Sequence, residues 1–304
     1  MSELTKQILN LLLKKLSIKQ ISQKMNITEK EVYINIKEII KSGKNIVPNY
    51  YYDSNIRYEL GKEKENQIEI KLNKMDNQFR TLVVSDLHIG DSKADINLMN
   101  YVYEYAAKNG IKNILNCGDL IEGIYTSGSK NIKTVEEQID TVINQHPFDK
   151  NINVFGVLGN HDFHSYYYDK IDIAKLVHDE RYDINFIGYG KGLIKVGMDN
   201  ILLSHKIRKK NVPEIKENYR IQLIGHGHEM KTKAYDVFKL CIPTLSYISP
   251  DSKNKVLPGF MDLRIELEKN HFEYLESKHM LVLDEVIEVS KSSCRLKTLY
   301  YKKR

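Results

Sequence analysis

The 304-residue chain is predicted to be an α/β protein, a sandwich with its helices outside, preceded by a small helical unit. Three observations predict it. From residue 80 onward, short apolar runs alternate with stretches of helical periodicity, the pattern of βα units. Polar residues directly follow those runs, where open α/β sheets place their ligands. Residues 2–42 instead carry helical spacing throughout.

The amino-terminal stretch reads as three helices. Leu4, Ile8, Leu11 and Leu12 share one face of the first. Ser17 with Gln20 forms a capping box that opens the second, where Ile18, Ile21 and Met25 follow at helical spacing. Asn26 and Ile27 make a short turn. Thr28 with Glu31 opens the third, lined by Val32, Ile36 and Ile40 and closed by Gly43. Two capped short helices joined by a tight turn have the layout of a helix-turn-helix. Residues 17–42 resemble that of bacterial transcription regulators. The resemblance implies that the third helix enters the major groove, with Lys30, Tyr33 and Lys37 facing outward toward nucleic acid. Two β-prone runs around Asp53-Ser54-Asn55 predict a hairpin over 45–60, the wing of a winged helix. A small three-helix unit that only binds protein or pads the larger unit is the competing reading.

Gly61 to Glu65 is a charged linker, and Gln67 to Leu72 is the expected first strand of the larger unit. Strands are then predicted at Thr81–Ser85, Asn113–Cys117 and Asn153–Leu158, with helices at Asp95–Lys108, Ile132–Gln145 and Ile171–Asp179. Shorter apolar runs at Ile184–Ile187, Leu193–Val196, Ile201–Ser204 and Ile221–Gly225 predict a more β-rich second half.

Composition bounds the class. Hydrophobic residues are 41% and charged residues 28%, ordinary for a soluble globular protein. Cys117, Cys241 and Cys294 lie far apart, which argues against a disulfide framework or a zinc ribbon and fits a reducing, cytoplasmic setting. The apolar stretch Leu4 to Leu16 is interrupted by Lys6, Lys14 and Lys15, so neither a signal peptide nor a membrane span is expected there. Net charge is +6, and its distribution says more than its size. Residues 1–61 hold ten Lys/Arg against six Asp/Glu; Lys206, Arg208, Lys209 and Lys210 form a second cluster; the stretch from Ser290 has six basic residues and no acid. Such clusters are solvated surface or nucleic-acid contacts.

The residues behind the strand-like runs carry the chemistry. Asp86 and His88 follow Leu82-Val83-Val84. Two residues apart at a strand end, they would point to the same side. Asp119 follows the next run; Asn160, His161 and Asp162 the third; His205, His226 and His228 the later ones. Carboxylate and amide oxygens mixed with imidazoles suit Mn²⁺, Fe or Zn²⁺ rather than a thiolate-seeking ion.

This order, Asp-x-His, Gly-Asp, Gly-Asn-His-Asp, His and Gly-His-x-His, resembles the calcineurin-like metallophosphoesterase superfamily at all five motifs, over about residues 66–270. The resemblance implies a four-layer αββα sandwich spanning residues 66–304 with a basic carboxy-terminal tail, behind a nucleic-acid-binding unit at 1–61. It implies two divalent ions, Mn²⁺ foremost, with Fe, Zn²⁺ or Mg²⁺ as alternatives. Asp86, His88 and His228 would bind one, Asn160, His205 and His226 the other, and Asp119 both. It assigns His161 to protonation of the leaving oxygen or to stabilising charge on phosphorus, with Asp162 orienting it or merely capping a helix.

Departures narrow the substrate. Serine/threonine protein phosphatases look like Gly-Asp-x-Val-Asp-Arg-Gly at the second motif. Here Gly118-Asp119-Leu120-Ile121-Glu122-Gly123 lacks the arginine. Gly-Asn-His-Asp looks more like double-strand-break repair nucleases, which carry their extra domain behind the last motif rather than in front. The expected function is therefore a nuclease acting on DNA, with no membrane partner and with self-association open. The alternatives are a phosphomonoesterase acting on a nucleotide or other small molecule, and a DNA-binding regulator with a phosphoesterase-like sensor. Lys206, Arg208, Lys209 and Lys210 would track a phosphate backbone or form a solvated loop. His164 and Tyr166 to Tyr168, expected on a loop, would stack on bases or pack locally.

Overall fold

The computed structural model describes residues 1–53, 55–61, 67–73, 76–124, 134–207, 215–228, 231–234, 237–248 and 256–296. The three amino-terminal helices form as the capping signals require: α1 (Glu3–Leu13), α2 (Ile18–Met25) and α3 (Glu29–Lys41), with capping boxes at Ser17/Gln20 and Thr28/Glu31. Strands β1 (Ile46–Tyr51) and β2 (Ile56–Leu60) make the expected antiparallel hairpin.

The hairpin is not a free wing. On its other side β1 pairs in parallel with β3 (Gln67–Lys71), and β3 pairs with β8 (Lys191–Val196). An eight-stranded sheet results, in the order β11-β12-β10-β9-β8-β3-β1-β2, completed by β9 (Asp199–Ser204), β10 (Ile221–Ile224), β11 (Lys231–Ala234) and β12 (Phe238–Cys241). The sheet thus runs straight across the boundary expected at residues 61–66.

The second sheet has seven strands in the order β15-β14-β13-β4-β5-β6-β7. Its parallel part is β4 (Gln78–Val84), β5 (Asn113–Asn116), β6 (Asn153–Leu158) and β7 (Ile184–Tyr189). Helices α4 (Leu98–Lys108), α5 (Val135–Gln145), α6 (Asn160–Asp169) and α7 (Ile173–Glu180) lie within the connections. Three long strands complete it: β13 (Gly259–Glu268), β14 (His271–Val282) and β15 (Val286–Arg295). These had no counterpart in the strand runs read from the sequence. Nor did α6, which replaces the loop expected for His164 and Tyr166–Tyr168.

Side-chain alternation on these strands divides the interior in two. Phe79, Val83, Leu115, Phe155 and Val157 face the eight-stranded sheet, and that core continues without a break into Ile8, Ile21, Val32 and Ile36 of the amino-terminal helices. The Tyr50 ring meets Phe155 edge-on at 4.8 Å, joining hairpin to central strand. Leu82, Val84, Ile114, Val154 and Leu158 face the other way, against Met99, Val102, Ile139, Val142 and Val177 of α4, α5 and α7. Among the described residues no helix follows α7, so the described residues beyond Glu180 add no helical layer to the eight-stranded sheet.

Register sets up the site. Val84 pairs with Asn116 and Asn116 with Gly156, so β4, β5 and β6 end at one edge of their sheet. Ser204 pairs with Ile224, so β9 and β10 end together in the other. Residues placed just after these strands therefore converge from both sheets.

Candidate metal centre

Asp86 and His88 leave β4, Asp119 leaves β5, Asn160 opens α6 behind β6, His205 leaves β9, and His226 and His228 leave β10. All seven side chains expected to bind metal are brought together. Asp86, His88 and His228 offer donor atoms within 4.8 Å of one another, and so do Asp119, His205 and His226. Asp119 Oδ2 lies 2.9 Å from His205 Nε2 and 3.9 Å from His88 Nε2, which places this carboxylate between the two groups. Asn160 Oδ1 is 3.2 Å from His205 Nε2 and 3.0 Å from His226 Nδ1.

The backbone is held in an unusual shape. Asp86, His88, Asp119, His226 and His228 all have positive φ, between 49° and 73°. For an L-residue that conformation costs about 1 kcal/mol or more. Five of them amount to roughly 5 kcal/mol, on the scale of a domain's whole net stability. They persist because the chain is pinned on both sides: Asp86 N–H donates to the Gly118 carbonyl and His88 N–H to that of Asp119. Glycines make the room. A Cβ at Gly118 would come 2.5 Å from His205 Nδ1, and one at Gly159 would overlap the Asp119 carboxylate.

The imidazoles are fixed by their second nitrogen. His88 Nδ1 stands 2.9 Å from Glu122 Oε2, His205 Nδ1 donates to the Cys117 carbonyl (2.7 Å), and His228 Nδ1 to that of Ile248 (2.9 Å). Each ring thereby turns Nε2 inward as a lone-pair donor. His226 presents Nδ1 instead.

Burial alone would push the Asp86 and Asp119 carboxyls up. His228 and His88 outweigh it for Asp86 and hold it well below the usual range; His205, with His88 and His161, holds Asp119 at about 2. His226 is lowered by burial first, then by the charges of His205 and, further down, Lys206. The donors fit a divalent cation. Asp86 Oδ1 and His88 Nε2 are buried without a hydrogen-bond partner, a cost that a bound cation at that point removes. Hard oxygens with imidazoles and no thiolate complete the set.

His161 stands beside these groups, its ring 4.6 Å from that of His88 and its Nε2 4.0 Å from Asp119 Oδ2. Its Nδ1 donates to the Glu122 carbonyl at 3.0 Å and lies 3.2 Å from the Glu122 carboxylate. Burial opposes charge on this ring, but Glu122 and Asp119 raise its pKa nonetheless. Glu122 itself is held at about 2: burial works upward, and the His161 and His88 rings overcome it. Sequence reading missed this residue. The available signal was an acid three residues behind Asp119, in a stretch read only for its missing arginine.

Two expectations are corrected. Asp162 does not orient His161; of the two roles expected for it, capping holds, since it stands at N3 of α6 and accepts from the N-cap Gly159. Its buried carboxylate accepts from the backbone N–H groups of Gly159, Leu120 and Ile121 at 2.7, 3.2 and 3.0 Å, clamping the β5 and β6 ends together. Nor do Lys30, Tyr33 and Lys37 form an open outward face: only Lys30 is exposed, and Lys37 is partly buried. Tyr33 is buried, and its hydroxyl donates to the His178 carbonyl at 2.6 Å. Lys37 pairs with Asp179 at 2.9 Å and Lys30 with Glu180 at 3.3 Å. Tyr33 is too large and apolar to leave in water, and α7 offers both a pocket and acids to match the lysines. Lys206 is exposed next to His205. Arg208, Lys209, Lys210 and the tail from residue 297 lie outside the described residues. No helix among the described residues is long and apolar enough to cross a membrane.

Comparison with known proteins follows this geometry. The family model of the calcineurin-like phosphoesterase superfamily domain matches residues 79–250. No curated protein matches the chain. Among solved structures, Vacuolar Protein Sorting 29 from Cryptosporidium parvum aligns at 14% identity over 72% of this chain and 100% of its own, with a TM-score of 0.44. YfcE, a phosphoesterase from E. coli, aligns at 18% identity over 64% of this chain and 96% of its own, with a TM-score of 0.37. Nuclease MPE of Pseudomonas putida aligns at 15% identity over 69% of this chain and 87% of its own, with a TM-score of 0.34.

Proposed function

The chain belongs to the calcineurin-like phosphoesterase superfamily, and from that premise we propose that it is a dinuclear-metal-dependent phosphodiesterase acting on nucleic acid, DNA in the first instance. One observation carries the reading: Asp119, grouped with His205 and His226, lies 3.9 Å from His88 of the other donor group, and a histidine anchored by Glu122 stands beside them. Asp86, His88 and His228 would hold one ion, Asn160, His205 and His226 the other, and Asp119 both. Two divalent ions held there, Mn²⁺ foremost, would supply Lewis acidity toward a phosphoryl group and a water for in-line attack.

The chain's own part lies in positioning and proton transfer. With Nδ1 bound to Glu122, His161 turns Nε2 to the site, where the imidazolium can hand a proton to the leaving ester oxygen. Its anchor fixes the ring's angle, so little reorientation is needed during the reaction. The exposed Lys206 beside the second group supports a polyanionic substrate, since a cation there meets a phosphate next to the scissile one. The α3 face supports it less than its sequence suggested, because its cations are paired within the molecule.

The test is a Mn²⁺-dependence assay on bis(4-nitrophenyl) phosphate, 4-nitrophenyl phosphate, single-stranded DNA, duplex DNA and RNA, with His161→Ala alongside. Diester hydrolysis that chelation abolishes and His161→Ala cuts at least about 100-fold is expected. Turnover of the monoester alone would replace the reading with a phosphomonoesterase.

A further inference from the structure

Helix α6 does more than carry Asn160 and His161. Residues three and four apart share a helix face, so His161, His164 and Tyr168 form one stripe running out of the candidate metal centre. The stripe spans about 10 Å at 1.5 Å per residue. Its outer end is an aromatic cluster: the Tyr168 ring lies 5.8 Å from His164 and 5.0 Å from Tyr167, and Phe163, Tyr166 and Tyr189 continue it. The outer members are left in water, Tyr168 at 64% exposure and Tyr167 at 52%. Folding gains little from rings placed there, and their hydroxyls alone do not require exposure of the faces.

The other side of the centre ends in the same way. The His161 ring touches His88, the His88 ring is 5.4 Å from His228, and His228 Nδ1 is bound by the Ile248 carbonyl. The residue before Ile248 is Tyr247, 45% exposed. Its N–H is tied to the Lys93 carbonyl, and the N–H of Leu245, two residues earlier, to that of Ser85 at the Asp86 strand end. Exposed tyrosines thus follow the donor groups along two connections, at the far end of α6 and just before Ile248, and Lys170 Nζ lies 5.5 Å from the Tyr167 ring.

We propose that Tyr168 and Tyr247 are stacking platforms for unpaired bases on either side of the scissile phosphate, and that the substrate is therefore a single-stranded nucleic acid. The inference rests on the phosphodiesterase reading and deepens it. Base–aromatic stacking needs an uncovered base face, which a duplex hides and a single strand offers. It is tolerant of sequence, in keeping with rings that carry no fixed hydrogen-bonding partner for a base edge. A solvated aromatic surface with no ligand would show neither preference.

The experiment measures binding apart from cleavage. Phosphorothioate-linked 12-nucleotide strands with a fluorescent label are titrated with the full chain in Mn²⁺: a single strand, the same backbone without bases, and a duplex. Loss of one stacked base is worth roughly a tenfold change in affinity, so the base-bearing strand should bind at least tenfold more tightly than the abasic one and than the duplex. Tyr168→Ala and Tyr247→Ala should each remove about that much from the single strand alone, while Tyr168→Phe and Tyr247→Phe retain it. The chain has no Trp, so quenching of tyrosine emission by the base-bearing strand gives a second readout. Equal affinity for base-bearing and abasic strands, tighter duplex binding, or alanine variants that bind like the wild type would overturn the proposal. Wild-type turnover of bis(4-nitrophenyl) phosphate is scored separately. Its absence would sink the phosphodiesterase reading while leaving the binding result to stand or fall on its own.

Discussion

Glu122 holds His161 twice through the same nitrogen: Nδ1 lies 3.0 Å from the Glu122 carbonyl and 3.2 Å from its carboxylate. The same carboxylate is 2.9 Å from Nδ1 of His88. One acid therefore positions both a candidate proton donor and a candidate metal ligand. Glu122→Gln should lower kcat about 10–100-fold with little change in KM, and weaken Mn²⁺ binding by a similar factor. In a His161→Ala background at saturating Mn²⁺ it should lower kcat no further, while the Mn²⁺ affinity still falls. Steady-state kinetics across a Mn²⁺ titration separate the two effects; fully additive losses in kcat would mean that Glu122 does not act through His161.

Asp119 lies between the two donor groups, so its loss should disable both. Asp119→Asn is expected to reduce phosphodiester hydrolysis by at least about 1,000-fold, toward the upper end of what one acid–base group contributes. Mn²⁺ at about 100 times its Kd should stabilise the wild type by about 2.7 kcal/mol and the variant by much less. Thermal melts with and without Mn²⁺ report this directly. An undiminished shift in the variant would remove Asp119 from the site.

Gly159 is required for space, not for backbone freedom, since its φ is −92°. A Cβ there would sit 2.6 Å from Asp119 N and overlap the Asp119 carboxylate. Gly159→Ala should displace that carboxylate and cost about 100-fold in kcat/KM, the scale of an ångström's misplacement. Circular dichroism should still report a folded protein.

His146 makes stability depend on pH far from the donor groups. Burial, then the Arg181 charge, lowers its pKa from 6.5 to about 4. The unfolded ring titrates first on acidification, so between pH 6.5 and 4 the unfolded chain binds the extra proton. Stability on this account is full above pH 6.5, falls as pH drops, and has lost about 3 kcal/mol by pH 4. Urea unfolding of the wild type and His146→Gln at pH 7.5 and 4.5 should show a flatter pH dependence in the variant.

Tyr33 fastens the amino-terminal helices to α7. Tyr33→Phe leaves the His178 carbonyl without its donor in a buried setting and should destabilise by about 1–2 kcal/mol. Lys30→Ala removes an ion pair whose side chains are 62% and 51% exposed and should cost nothing measurable. Urea midpoints of the two variants settle the contrast. Equal effects would mean that the Tyr33 hydroxyl bond is not what holds α3 in place.

By itself the sequence determined what local physics governs. Capping boxes at Ser17 and Thr28 place two helix starts because side chain and amide are three residues apart. The parallel strands β4, β5 and β6 could be read from apolar runs ending in Asp86, Asp119 and Asn160, and the strand-end residues could be collected behind such runs, while the choice of seven of them as metal donors came from the family resemblance. Three matters were decided only by tertiary structure. Which side of α3 faces inward depends on α7, nearly 150 residues away, so Tyr33 looked like a groove-reading residue until its partner was in place. Asp162 and Glu122 are both acids beside the donor groups, and local spacing offers only a helix cap for Asp162. Strand register puts Asp162 under three backbone amides and Glu122 between two imidazoles. The hairpin at 46–60 shows the same limit: its turn chemistry is local, but its recruitment into the eight-stranded sheet depends on β3 finding β1, a pairing that no spacing within either strand encodes.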